Sequence, residues 1–102
     1  MDRHAENKRH HVRFPFKKRI SYTVMGDDFH PPSEFQAQAQ TVDLSRCGLR
    51  ICLKGPAVDV GFMLMVRVPV SEVRTSVPVL AEVRWVRANE HGGSHAGLEF
   101  IS

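Results

Sequence analysis

Apolar residues recur at every second position through most of this chain, and a period of two is the mark of a strand with one buried face. Ile20, Tyr22 and Val24 alternate with Ser21 and Thr23. Phe35, Ala37, Ala39 and Thr41 alternate with Gln36, Gln38 and Gln40, which puts three amides on the solvent side. Leu49, Ile51 and Leu53 alternate with Arg50, Cys52 and Lys54. Residues 62–68 are apolar on both faces, as expected of a strand whose outer face is also covered. Val77, Val79, Ala81, Val83 and Trp85 then alternate with Pro78, Glu82 and Arg84, with Leu80 and Val86 as apolar exceptions. Ala96, Leu98 and Phe100 close the series against Gly97 and Glu99. By this parity Trp85 points inward with Val83, and Trp85, Met63 and Met65 read as core packing rather than as a surface for ligand. No segment carries a 3.6-residue period, so no helix is expected.

The breaks between the runs hold turn chemistry. Gly26-Asp27-Asp28 with Pro31-Pro32-Ser33, the stretch from Asp43 to Gly48, Gly55-Pro56, the polar residues 71–76 and Gly92-Gly93 all interrupt the alternation. About six short strands joined in this way have one economical solution. They form an all-β fold, a small antiparallel β-barrel, because closure leaves no exposed edge. The barrel is expected over residues 18–102. Pro15 cannot donate to a ladder and marks the end of a basic, flexible N-terminal arm over residues 1–17. At 102 residues the chain is a single domain with one modest core.

The N-terminus has no apolar signal segment, and the longest strongly apolar piece, Phe62 to Val66, is far too short to span a bilayer. Cys47 and Cys52 lie five positions apart, a spacing that sends two strand side chains to opposite faces. Free thiols then suit the cytoplasm.

Charge is placed unevenly. Arg3, Lys8, Arg9, Arg13, Lys17, Lys18 and Arg19 make up half of the 14 Lys and Arg, and only Asp2 and Glu6 oppose them there. A basic arm of this kind implies an anionic partner. Within it Arg9 and Arg13 are four apart. A guanidinium offers a planar fork that matches phosphate oxygens or the O6 and N7 edge of guanine, and the same plane stacks on a base. The second polar feature is Asp43-Leu44-Ser45-Arg46-Cys47-Gly48. Asp43 and Ser45 suit a turn, since their short side chains bond nearby backbone N–H groups. They also suit a site, with Asp43 accepting from guanine N1–H and N2–H₂ and Ser45 bonding phosphate or a base edge. Gly48 supplies either a positive φ or a close backbone approach.

Other constellations carry less. His10-His11 and His91 with His95 lack carboxylates or cysteines at metal spacing, so no metal site is expected. Asp27-Asp28 reads as a solvated hairpin tip. Ser45 has no local histidine, and no nucleophile elbow or phosphate-cradling glycine loop appears, so enzymatic activity is not expected. Nucleic-acid binding through the arm is disfavoured by the single Trp and single Tyr and by the lack of a basic stripe on the later strands.

An Arg-x-x-x-Arg arm, a strand, and Asp-x-Ser-x-x-Gly opening the third strand together resemble the PilZ domain family. Val83-Arg84-Trp85-Val86-Arg87 and Gly97-Leu98-Glu99-Phe100 look like its last two barrel strands, so the resemblance covers nearly the whole chain. It implies a non-catalytic receptor for the bacterial second messenger cyclic di-GMP. Arg9 and Arg13 would grip guanine and phosphate, and Asp43, Ser45 and Gly48 would line the barrel beneath. Lys8 stands where some relatives carry another arginine. Lysine cannot stack as a plane, so the resemblance allows one ligand or a stacked pair. The arm would order on the ligand and signal to a downstream protein partner. A protein-interaction module that keeps these residues without using the ligand is the other reading.

Overall fold

A computed structural model describes residues 12–25, 36–54, 58–70, 74–89 and 92–101. Seven strands are present: β1 (Phe14–Pro15), β2 (Arg19–Val24), β3 (Ala37–Leu44), β4 (Gly48–Leu53), β5 (Met63–Val70), β6 (Thr75–Ala88) and β7 (Ser94–Phe100). All pairings are antiparallel. The order β3-β2-β5-β6-β7-β4 returns to β3 through the β3–β4 pairing, so six strands close on themselves. The expected small barrel is therefore the fold, and among the described residues there is no helix.

The alternation explains the interior. Val58, ahead of β5, joins a buried core otherwise made of strand residues: Ile20, Tyr22, Ala39, Leu49, Ile51, Leu53, Leu64, Val66, Ala81, Val83, Ala96 and Leu98. Of these strand residues, all but Leu64 and Val66 stand at the inward positions of alternating runs. Fully burying one such aliphatic side chain contributes roughly 1.5–3 kcal/mol. Gln36, Gln38 and Gln40 are exposed, as their parity requires.

β1 is a short addition that the alternation does not announce. It pairs with the Asp43–Leu44 end of β3, on the same edge that β2 occupies further along. The residues between β1 and β2 are held to β3 by Thr41, which is buried. Its hydroxyl accepts from the Lys18 N–H at 2.7 Å and donates to the Phe16 carbonyl. The Thr41 amide donates to Lys18 O at 2.8 Å.

Two irregularities alter the parity. In β3 the register against β4 shifts between Thr41 and Asp43, so Val42 is an extra residue. In β6 the register against β7 shifts between Val83 and Trp85, so Arg84 is an extra residue. Each bulge turns the side chains beyond it to the other face. Trp85 is therefore not inward with Val83. It pairs with Gly97 on the outer face, and Val86 takes the inward position opposite Ala96. The break in alternation at Val86 was the trace of this bulge in the sequence.

The β5–β6 hairpin overhangs the barrel. Met63 O accepts from Met25 N and Leu80 O from Ile101 N, which fixes the edge that each strand shows its outer neighbour. Counting by two, Pro69 faces the β2 side beyond the β2 pairing, and Pro78 faces the β7 side beyond the β7 pairing. Neither proline removes a donor from a ladder among the described residues.

Candidate functional site

The two bulges build one surface. Across four neighbouring strands, Asp43 pairs with Arg50, Arg50 with Gly97, and Gly97 with Trp85. These residues form a single row on the outside of the barrel. Without the bulges, simple alternation would send Asp43 and Trp85 into the core.

Asp43 is 7% exposed and is held from two directions. Arg50 Nε donates to Oδ1 at 2.9 Å and to Oδ2 at 2.8 Å, and its Nη2 also donates to Oδ2. Arg13 Nη1 donates to Oδ1 at 2.9 Å from the segment before β1. The hydrogen bonds from Arg50 lead, and with the two positive charges they hold the Asp43 carboxyl below the usual aspartate value despite its burial. The same contacts raise the Arg50 guanidinium further above its already high value. Asp43 is thus ionised at neutral pH. Its role is ion pairing across strands, not the backbone-capping role its place in a turn suggested.

Ser45 does take that capping role. Its hydroxyl oxygen accepts from Cys47 N and Gly48 N, both at 3.2 Å, and its amide donates to Gly48 O at 2.9 Å. The turn therefore enters β4 with its own donors satisfied. Gly48 is needed for close approach and not for a positive φ; the positive-φ glycines among the described residues are Gly61 and Gly92. A Cβ at Gly48 would lie 2.0 Å from Leu98 O, and one at Gly97 would lie 2.0 Å from Trp85 Nε1. Gly97 is the floor on which the Trp85 indole rests. The Arg87 guanidinium sits over the same ring, 5.3 Å from its centroid.

An open groove of about 350 Å³ runs between these parts. Arg13, Ser45, Cys47 and Gly48 line one side, and Trp85, Gly97, Arg84 and Glu99 line the other. Arg84, the extra residue of its bulge, leans toward Glu99 at 3.6 Å and Glu82 at 3.5 Å.

Of the six residues singled out in the sequence, Arg13, Ser45 and Gly48 line this groove, and Asp43 is tied to it through Arg13. Lys8 and Arg9 lie outside the described residues, as do His10, His11, Asp27, Asp28 and His91. Sequence reasoning missed Arg50, Gly97 and Trp85. Cys47 is exposed, Cys52 is half-buried, and both are free thiols. Among the described residues no group of three or more His, Cys, Asp or Glu could hold a metal ion. Nor is any helix there long and apolar enough to cross a membrane.

Comparison with known proteins fits this geometry. No curated protein sequence matches the chain. Among solved structures, the Bacillus subtilis inhibitor of motility (MotI/DgrA) is similar at a TM-score of 0.65 and 18% identity, covering 93% of this chain and 43% of that one. This chain therefore spans less than half the length of that protein. The PilZ domain of YcgR from Escherichia coli, solved with c-di-GMP, is similar at a TM-score of 0.53 and 12% identity, covering 84% of this chain and 76% of that one. At such identities the likeness speaks for the shared fold. The PilZ domain family model matches residues 7–102, from the arm through the last strand. The chain belongs to the PilZ domain family.

Proposed function

We propose that this chain is a non-catalytic, cytoplasmic receptor for cyclic di-GMP, with Arg9 and Arg13 closing on a ligand that lies along the groove beside Ser45 and Gly48. The observation that carries the reading is that Arg13, Ser45 and Gly48 line one groove walled by Trp85, with Asp43 hydrogen-bonded to Arg13. The ligand has phosphates for the arginines and two purine planes for stacking. Trp85 walls the groove with its ring between Gly97 and Arg87, so a base stacks on it by displacing the Arg87 guanidinium; base stacking on an aromatic contributes roughly 1–3 kcal/mol. Lys8 adds charge to the arm, and one ligand or a stacked pair satisfies the same contacts. The arm, ordered against the barrel by the ligand, presents the surface that a downstream protein reads.

The test is a calorimetric titration of cyclic di-GMP, run beside the fluorescence of Trp85, which is the chain's only tryptophan. Saturable heat at micromolar ligand is expected, with a matching change in emission. Arg9→Ala, Arg13→Ala and Asp43→Ala should each weaken binding on the order of tenfold or more. No saturable heat with the unsubstituted chain would sink the reading. A steep salt dependence with oligonucleotides, together with indifference to cyclic di-GMP, would point to nucleic acid instead.

A further inference from the structure

We propose that Arg50 is a positioning residue for this site: it holds the Asp43 carboxylate on the outer surface, so that Arg13 can leave Asp43 for a ligand without stranding a charge. The inference rests on the groove being the cyclic di-GMP site and goes beyond the arm and turn residues that define it.

Asp43 reaches the outer face only because Val42 is an extra residue in β3. A carboxylate in a mostly buried position must be paired, because an isolated charge there is costly. The two partners differ in how they are held. Arg50 sits inside β4, with strand partners on both sides, Asp43 and Gly97. Arg13 lies ahead of the two-residue strand β1 and makes one hydrogen bond to Asp43, on Oδ1. Arg50 engages both carboxylate oxygens through Nε and Nη2. Arg13 adds a second donor on Oδ1. A guanine edge that approaches Asp43 needs the position on Oδ1 that Arg13 holds. Departure of Arg13 opens that position and frees a guanidinium for the ligand, while Arg50 keeps Asp43 ionised and aimed outward. Among the described residues, Arg13 and Arg50 are the charged groups in contact with Asp43. From β1 the residue set opposite it is the uncharged Pro15.

The experiment has a ligand-free arm and a ligand arm. In the free chain, the Asp43 side-chain carboxyl carbon is followed by NMR against pH in the unsubstituted protein, Arg50→Ala, Arg50→Gln and Arg13→Ala. The Arg50 variants should move the Asp43 midpoint upward by more than Arg13→Ala does. Cyclic di-GMP is then titrated into the same proteins. Arg50→Ala should weaken binding about tenfold at neutral pH. That loss should deepen as pH falls toward the raised midpoint, where the unsubstituted chain stays flat. Arg50→Gln, which is two atoms shorter but keeps an N–H donor at the place of Nε, should recover part of the affinity. An Asp43 midpoint unmoved by Arg50→Ala and Arg50→Gln overturns the proposal whatever the ligand does. A moved midpoint with full affinity overturns the link to binding. If the unsubstituted chain takes up no cyclic di-GMP, the ligand assignment fails, and the free-chain titration still decides whether Arg50 positions Asp43.

Discussion

Two glycines on the same face show how differently a single methyl group can act. At Gly48 an added Cβ meets a backbone carbonyl, Leu98 O, and the β4–β7 ladder has no side chain to move aside. Gly48→Ala should cost about 1–3 kcal/mol, the range of overpacking in a filled site, read as a lower urea midpoint. At Gly97 the same methyl meets the Trp85 indole, which can lift off the surface. Gly97→Ala should therefore spare more of the stability but shift Trp85 emission to the red and weaken ligand binding. Equal losses of stability in the two variants would contradict this distinction. Gly48 was legible in the sequence because its spacing from Asp43 and Ser45 is characteristic. Gly97 was not, since in an alternating run it reads only as an outward position without a side chain.

At the scale of strands, period-two patterning located five of the six barrel strands, and the run 62–68, apolar on both faces, located β5 with Leu64 and Val66 of the core. The short β1 was not legible, because two residues carry no period. The two bulges were not legible either, because one extra residue leaves the composition of a strand unchanged and alters only its parity. Leu44 and Val86 are the inward residues that resume the pattern after each bulge, and they are the clue that was available. The overhanging β5–β6 ribbon makes its own prediction. Pro69 and Pro78 put no N–H on the sides of its described residues that carry no strand pairing, where an extended segment could otherwise add. Replacing both with valine should increase self-association, seen as a concentration-dependent rise in sedimentation coefficient over the unsubstituted protein. No change in association would show that the edges are protected by something else.

The molecule as a whole joins a barrel with little net charge to an arm that carries five of the 14 lysines and arginines, and Asp43 is the point where the two are tied. Its carboxyl is held below the ordinary value in the folded state. The stability it contributes is therefore complete above the ordinary carboxylate range. It is lost as pH falls through that range and then through the lower folded midpoint. Both arginines are more than two-fifths exposed, so the contribution at neutral pH is modest, roughly 1 kcal/mol. Asp43→Asn should lie below the unsubstituted chain by that amount at pH 7 and converge with it in acid, as followed by urea unfolding. A gap that persists below the folded midpoint would mean that the carboxylate charge is not its source.

The Thr41 hydroxyl gives this tie a mechanical consequence. It clasps the chain at Phe16 and Lys18, between the two strands that share one edge of β3. Motion of the arm thus has a fulcrum, and Arg13 sits only three residues outside it. An exchange of partners at Arg13 therefore acts on β1 and the short connection after it, while the clasp holds that connection to β3 ahead of β2 and the core.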